Sequence, residues 1–566
     1  MEVALSSGEL VSVALSGRLY HCPPIFIEGD EALLACANGS EVLLISSKTG
    51  DLISTFQNHS ANVVSMMLNP QPRGSEASCE LVTASSDGTV YTWRVPGGKV
   101  VSKVQVEVGN IVHDVAVLAS AADKMVVLAA DGNSERTRKA EQHKKRKRQG
   151  GDAGAAEVNV APLGTKLVVV DTARQRTVAR LGHFRGEYNK SYETTVKSKG
   201  EGGVENSQAP SSSSSVVSSS SSYMVVDGRF IRSGVTAGEE YCFLASKRNL
   251  FAWSATRKDN GMKQECGVQS NMTCIAASGA HDTIATGHRS GHITLWKGVA
   301  AWLLSGGRTQ PTCQVLHWHA HAVSALSFSA TGEYLHSGGE EGVLVSWELR
   351  TGTKTFIPRL GAPVVYITEP VDSPLVSVTT ADNCIRVFNT ATLRPEWALR
   401  GACLGQSQTF LGSTTQSADP HFSCRLVVDP STRHVVTNGY PGALQSLSVA
   451  SKALVNSHDV VHFTRVSRVE AGTTIYVPSV ALVAHSSSRV VSRDVVGPSR
   501  MRATVDIKRG EEMAVQTSLK LWGATGAGSN VIGGDWRLLA QGTFPNPNPD
   551  PNPNTNAHPN ANHNPF

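Results

Sequence analysis

One phrase recurs along this chain: a short apolar strand, a tight polar turn, and an aromatic or apolar residue six positions after the turn residue. It reads TASSDGTVYTW at 83–93, ASKRNLFAW at 245–253, TGHRSGHITLW at 286–296, SGGEEGVLVSW at 337–347 and VTTADNCIRVF at 378–388. Fainter versions are ANGSEVLLI (37–45), PLGTKLVVV (162–170), NGYPGALQSL (438–447) and VQTSLKLW (515–522). The closing positions are therefore 45, 93, 170, 253, 296, 347, 388, 447 and 522. Several intervals run 41–51 residues, and the long ones, 77 and 83, enclose the segments least like folded protein. A fixed period means that one structural unit is used repeatedly, and this limits the fold more than any other feature.

A period of about 40–45 residues with four short strands per unit is that of a β-propeller built from WD repeats. A four-stranded blade cannot cover both its faces alone, and packing blades around an axis covers them. Composition agrees, with 51 Gly and long stretches rich in Val, Ser and Thr favouring strands and turns over helices. A length of 566 residues exceeds one ordinary domain. The expected fold is all-β: a WD-repeat β-propeller of seven blades over 1–400, then a partial second propeller over 401–541. Disordered insertions are expected at about 133–163 and 186–222, and a disordered tail over 542–566.

The polar residues of the repeat fall at matching offsets. In a well-formed blade a His, a Ser or Thr, a turn acid and the closing Trp form a hydrogen-bonded tetrad that fixes the blade internally. His59, Thr83, Asp87 and Trp93 supply one set; His319, Ser337, Glu341 and Trp347 supply another, with Glu in place of Asp. Both histidines lie nine positions before a core residue of the following strand, Leu68 and Phe328. Elsewhere Lys247 and Ser290 stand where the acid would be, and Phe388 where the Trp would be.

The run LHWHAH (316–321) raises a competing possibility, a metal site made by His317, His319 and His321 in alternation. A metal reading needs further ligands and a reason for alternating imidazoles. The structural reading explains His319 by its register and leaves His317 and His321 as polar neighbours, so it is preferred. His288 and His292 flank a turn and are expected to be exposed.

The net charge of +5 is local. ERTRKAEQHKKRKR (135–148) carries eight Lys or Arg against two Glu, leaving the remaining chain near −1. Lys144, Lys145, Arg146, Lys147 and Arg148 form a compact cationic run in a Gly/Ala-rich setting, read as an exposed loop serving nuclear targeting or contact with RNA phosphates. Targeting is the favoured role, because no aromatics interleave the charges to stack on bases. SSSSSVVSSSSS (211–222) and the Pro/Asn-rich C-terminal stretch cannot pack a core. Ten cysteines without a C-x-x-C pair suit reduced, buried thiols of an intracellular protein. No run of 18 apolar residues is present, so no membrane partner is expected, and MEVALSSGELVSVALSG lacks the basic start and apolar core of a signal peptide.

Motifs of catalysis are missing from the sequence: no G-x-x-x-x-G-K-[ST], no H-E-x-x-H and no G-x-S-x-G. GATGAG (523–528) follows a repeat-ending Trp and leads into no recognisable helix. Asp87, Glu341 and Asp382 are turn positions on different blades and form no catalytic pair. A non-catalytic protein without a cofactor or metal is expected.

A resemblance then becomes specific. CIAASGAHDTIATGHRSGHITLWKG (274–298), LHWHAHAVSALSFSATGEYLHSGGEEGVLVSW (316–347) and FIPRLGAPV (356–364) are similar to the WD repeat-containing protein 75 family. VTNGYPGALQSLSV (436–449) resembles the opening of that family's second propeller, and MRATVDIKRGEEMAVQTSLKLW (501–522) a later strand pair. The similarity covers most of 9–530 and is strongest over 272–390. It implies a scaffold subunit of the nucleolar small-subunit processome, supporting transcription by RNA polymerase I and processing toward 18S rRNA in ribosome biogenesis. The partners implied are other WD-repeat and helical subunits of the early subcomplex and the 5′ external transcribed spacer of pre-rRNA. The U3 small nucleolar ribonucleoprotein and RNA polymerase I are implied indirectly. The alternative is a WD-repeat adaptor of another nuclear complex, such as a ubiquitin-ligase receptor or a chromatin subunit. The family runs on through a complete second propeller and a basic or helical C-terminal region, whereas this chain stops after about two of those blades.

Overall fold

The computed structural model describes residues 2–4, 10–12, 19–29, 32–69, 79–106, 112–118, 121–130, 165–171, 176–184, 226–232, 240–246, 248–254, 262–265, 267–358, 360–402, 427–428, 434–439, 442–449, 454–461, 476–485, 489–498, 516–524 and 536–545. Among them nearly all regular structure is strand. A hairpin of β1 (Glu2–Ala4) and β2 (Leu10–Ser12) comes first. Four-stranded antiparallel sheets follow, each made of four consecutive strands in simple up-and-down order.

Sheet one holds β3 (Ile25–Ile27), β4 (Leu33–Asn38), β5 (Glu41–Ser46) and β6 (Leu52–Phe56); sheet two holds β7 (Val63–Leu68), β8 (Cys79–Ser85), β9 (Thr89–Val95) and β10 (Lys99–Gln105). Sheet three holds β11 (Val112–Leu118), β12 (Ala121–Ala130), β13 (Thr165–Asp171) and β14 (Arg176–Phe184). Sheet four holds β15 (Val226–Arg232), β16 (Glu240–Ser246), β17 (Asn249–Ser254) and β18 (Met262–Glu265). Sheet five holds β19 (Met272–Ala277), β20 (Thr283–His288), β21 (His292–Lys297) and β22 (Thr312–His317), with a short helix α1 (Val299–Leu304) between its last two strands. Sheet six holds β23 (Val323–Phe328), β24 (Tyr334–Gly339), β25 (Leu344–Glu348) and β26 (Lys354–Ile357); sheet seven holds β27 (Val364–Thr368), β28 (Leu375–Thr380), β29 (Cys384–Asn389) and β30 (Pro395–Arg400). Two further sheets consist of β31 (Val427–Val428), β32 (His434–Asn438), β33 (Ala443–Ser448) and β34 (Leu454–Asp459), and of β35 (Tyr476–His485), β36 (Arg489–Pro498), β37 (Gln516–Ala524) and β38 (Trp536–Pro545).

The closing residues of the repeat, 45, 93, 170, 253, 296, 347, 388, 447 and 522, each sit on the third strand of one sheet. Burial explains why those strands are the legible ones. The second strands β4, β20 and β28 are buried at every residue, covered on both faces, so they read as continuous apolar or small runs. The fourth strands β22, β30 and β34 are largely exposed and carry little apolar signal.

Contacts divide the chain into two compact units: Met1–Ser417 with Leu447–Val455, and Ala418–Ser446 with Asn456–Phe566. The division falls at Ser417, beyond the boundary at 400 expected from the sequence, and it groups Leu447–Val455 with the first unit. In the first unit the innermost strands lie side by side in order, β3 with β7, then β11, β15, β19, β23 and β27. Bulges in β19 and β23 mark where Thr273 and Ser324 turn toward the next sheet and donate hydrogen bonds to the carbonyls of Val323 and Val364. Ser65 of β7 donates to the Val115 carbonyl of β11 at 3.1 Å. Sheet seven meets sheet one through Leu375, Ile385 and Val387 packed on Leu34, Leu43 and Ile45, so the unit returns on itself.

Among the described cysteines outside any disulfide, Cys22, Cys36, Cys274 and Cys384 are buried, Cys79 is half-buried and Cys313 is exposed. Burial pushes the Cys36 thiol up to about 12, which leaves it protonated and inert. No described helix is long and apolar enough to cross a membrane. Strand β38 runs to Pro545, past the start at 542 expected for the tail, because TFP (543–545) still pairs with Gln516, Thr517 and Ser518 of β37. The insertions at 133–163 and 186–222 and the tail beyond 545 lie outside the described residues.

Candidate functional site

The residues singled out in the sequence meet in the second and sixth sheets. Register puts Trp93 opposite Leu81 and Trp347 opposite Leu335. Two residues further along the facing strand, on the same face, stand Thr83 and Ser337, within diagonal reach of the indole. Trp93 Nε1 donates to Thr83 Oγ1 at 2.8 Å, and Trp347 Nε1 donates to Ser337 Oγ at 2.8 Å. His59 Nε2 lies 2.7 Å from Thr83 Oγ1, and His319 Nε2 lies 2.8 Å from Ser337 Oγ. All four of these polar groups' partners are buried, where an unmade hydrogen bond is costly.

The sixth-sheet set closes completely. His319 Nδ1 donates to Glu341 Oε2 at 3.4 Å, and the other carboxylate oxygen accepts the His321 backbone N–H at 2.7 Å. Because Glu341 takes the Nδ1 proton, Nε2 is the acceptor of the Ser337 hydroxyl, which in turn accepts from Trp347. Burial alone would raise the Glu341 carboxyl, but the hydrogen bonds from His319 and His321 outweigh it and hold the group at about 2.

The second-sheet set does not close, which corrects the expectation of a four-membered frame. Asp87 turns to Ser60, whose hydroxyl donates at 2.6 Å, to Ser85 and to the Thr89 backbone N–H at 2.8 Å. His59 Nδ1 is left without a hydrogen-bond partner among the described residues. The shorter Asp side chain reaches only as far as the Ser60 hydroxyl beside His59, where the longer Glu341 reaches the His319 ring itself. Burial would raise the Asp87 carboxyl, yet these bonds hold it far below the usual range. Burial drives His59 down to about 4, with Asp87 opposing and Lys103 assisting.

Sequence reasoning passed over a third frame. In sheet five Trp296 Nε1 donates to Thr286 Oγ1 at 2.9 Å, and His288 Nε2 lies 3.0 Å from Thr294 Oγ1. His288 is fully buried, not exposed as its turn position suggested, and its Nδ1 faces the Ser270 carbonyl at 3.3 Å. The signal was present: hydroxyl and indole are ten residues apart in Thr83–Trp93, Thr286–Trp296 and Ser337–Trp347 alike. In the last sheet Trp522 Nε1 donates to Ser492 Oγ at 2.8 Å, a pairing separated by 30 residues and so illegible by spacing. Where sheet seven has Phe388 instead of Trp, Arg386 reaches the Thr380 hydroxyl at 2.5 Å and Asp382 at 3.1 Å.

The three histidines of LHWHAH are dispersed. His319 is buried in its frame, while His317 stacks on His292 with ring centroids 4.0 Å apart. His321 binds Glu341 through its backbone. Among the described residues no three His, Cys, Asp or Glu side chains are grouped to hold a metal ion. Lys144, Lys145, Arg146, Lys147 and Arg148 lie outside the described residues. What the described frames do chemically is hold strands together, through hydroxyls shared by an indole and an imidazole.

Comparison with known proteins gives consistent relatives. Residues 196–383 match the family described as WD repeat-containing protein 75 first beta-propeller, and residues 50–94 match the WD domain, G-beta repeat. WD repeat-containing protein 75 of Danio rerio is 24% identical over 443 residues, covering 78% of this chain and 43% of the relative. The Homo sapiens protein of that name is 26% identical over 436 residues, covering 76% and 42%. U3 small nucleolar RNA-associated protein 17 of Schizosaccharomyces pombe is 40% identical over 88 residues, covering 16% and 11%. The chain thus spans under half the length of these curated relatives.

Proposed function

Because the chain belongs to the WD repeat-containing protein 75 family, we propose that it is a non-catalytic scaffold subunit of the nucleolar small-subunit processome. It supports pre-rRNA transcription by RNA polymerase I and the processing that yields 18S rRNA. The seven sheets from Ile25 to Arg400 are the blades of its first propeller, and the two later sheets belong to a second. Its partners are other WD-repeat and helical subunits and the 5′ spacer of pre-rRNA, and the run 144–148 directs it to the nucleus and nucleolus.

The observation that carries this reading is likeness to the relatives over about three quarters of the chain. It joins a fold whose described Trp–hydroxyl–His frames brace neighbouring strands. Affinity in such a scaffold is spread over large surfaces. The test is to tag the protein, locate it in cells, and sequence the proteins and RNAs recovered with it. Nucleolar signal with early processome subunits and 5′ spacer RNA is expected; recovery of a nucleoplasmic ligase or chromatin complex would overturn the reading.

A further inference from the structure

Sheets five and six meet at the rim along an open groove. One wall is β22, the last strand of its sheet, with no strand on its outer edge among the described residues. Five of its six residues are exposed, and Val315 is 50% exposed. The opposite wall is the end of β25 and the start of β26, with Trp347, Glu348 and Lys354, and the cavity between the walls is about 210 Å³. Trp318 leaves β22 and crosses to Phe356 of β26, ring centroids 4.9 Å apart, and both rings stay more than a third exposed.

The charge around this groove is positive. Lys354 stands over the Trp347 ring at 4.9 Å, Lys297 reaches Gln314 at 3.3 Å, and Arg350 projects into solvent. The one acid of the walls, Glu348, is approached by Arg350 at 3.9 Å and accepts the Thr351 hydroxyl at 2.6 Å. An unpaired strand edge offers a row of backbone donors and acceptors, and exposed apolar residues beside it offer seats for alternate side chains.

We propose that this groove binds an extended segment of a partner protein that alternates apolar with acidic residues, added as a fifth strand along β22. Backbone hydrogen bonds to β22 supply register, Val315, Trp318 and Phe356 take the apolar side chains, and Lys297, Arg350 and Lys354 meet the acids. A single-stranded nucleic acid fits less well. Stacking needs free aromatic faces, whereas Trp347 is covered by Lys354, and Trp318 is contacted by His319 and Phe356. The proposal stands apart from the processome assignment, since it concerns the purified chain.

The probe is a fluorescent decapeptide alternating Val and Asp, titrated against the full chain beside a Val–Lys decapeptide and a ten-nucleotide uridine RNA. The Val–Asp peptide is expected to bind at least about tenfold more tightly than the Val–Lys peptide, with affinity falling as salt rises. Val315→Glu and Lys354→Glu should each weaken it about tenfold, while Ile53→Glu on the exposed strand β6 should not change it. Lys354 is exposed, so its variant carries the test if Val315→Glu unfolds. Equal binding of the two peptides, no binding, or an unchanged affinity in Lys354→Glu overturns the proposal; competition by the RNA, lost in the same variants, assigns the groove to nucleic acid instead.

Discussion

One hydroxyl oxygen in each frame serves two buried rings. Ser337 Oγ accepts from Trp347 and donates to His319. Ser337→Ala therefore strands two polar groups at once, and urea denaturation should show a loss of about 2–4 kcal/mol. Thr286→Val strands mainly the Trp296 indole, since His288 has Thr294 at 3.0 Å and keeps it; its loss should be about half as large. A second consequence concerns pH. His59 titrates near 4 in the folded chain, below the ordinary 6.5, because burial disfavours its charge. The unfolded chain binds the proton more readily, so His59 contributes stability that is whole above pH 6.5 and drains away as pH falls toward 4. The full loss is on the order of 3 kcal/mol. Glu341, held at about 2, adds a separate loss as pH falls from its ordinary 4.5. Melting temperature measured from pH 7 to pH 4 should fall steadily, and His59→Asn should flatten that part of the curve; an unchanged slope in the variant would show that His59 is not the group responsible.

At the scale of elements, turns decide whether sheets can approach. Gly291 ends the turn between β20 and β21 with φ +83°, and a Cβ there would lie 1.9 Å from the His319 carbonyl oxygen at the entry to sheet six. Gly298, with φ +77°, faces open space. Gly298→Ala should cost about 1 kcal/mol, the left-handed backbone alone, while Gly291→Ala should cost about 2–4 kcal/mol because backbone must also move. Paired thermal melts of the two variants separate strain from clash, and equal losses would refute the clash. These turns also show what the sequence made readable. A positive-φ Gly or polar turn followed by a strand is local chemistry, so the third strands were found at all nine positions. The Glu341 bond and the Asp87 failure differ by one methylene, and no spacing rule sees that. His288 looked like a turn residue because its burial comes from Ser270 and Thr294, whose approach depends on sheet pairing. The groove along β22 was invisible for the opposite reason: an exposed edge strand carries no periodic signal.

For the whole first unit, the question is what closes it. Apart from the β1–β2 hairpin, the described sheets from Ile25 to Arg400 are each built from four consecutive strands, so no strand is shared between the first and the last and closure rests on side chains. Apolar packing of Leu34, Leu43 and Ile45 on Leu375, Ile385 and Val387 provides the adhesion. Three polar clasps fix the register. Asn383, at φ 60°, accepts the Leu19 backbone N–H at 2.7 Å and donates to the Ala402 carbonyl at 2.8 Å, tying the entering chain to the leaving one. Trp397 Nε1 donates to the Ser47 carbonyl at 2.7 Å and its ring packs on Gly50, and Glu28 accepts the backbone N–H groups of Val371 and Asp372. This seam is expected to open first, because elsewhere in the unit neighbouring sheets follow one another along the chain, while this pair joins segments far apart in sequence. Asn383→Ala and Trp397→Ala should therefore let the ring open locally. Native-state hydrogen exchange should speed by about tenfold in β4, β5, β28 and β29, corresponding to about 1.4 kcal/mol, with β20, β24 and β25 keeping their protection. Uniform acceleration across all sheets would mean that the ring unfolds as one cooperative body and that the seam is no weaker than any other interface.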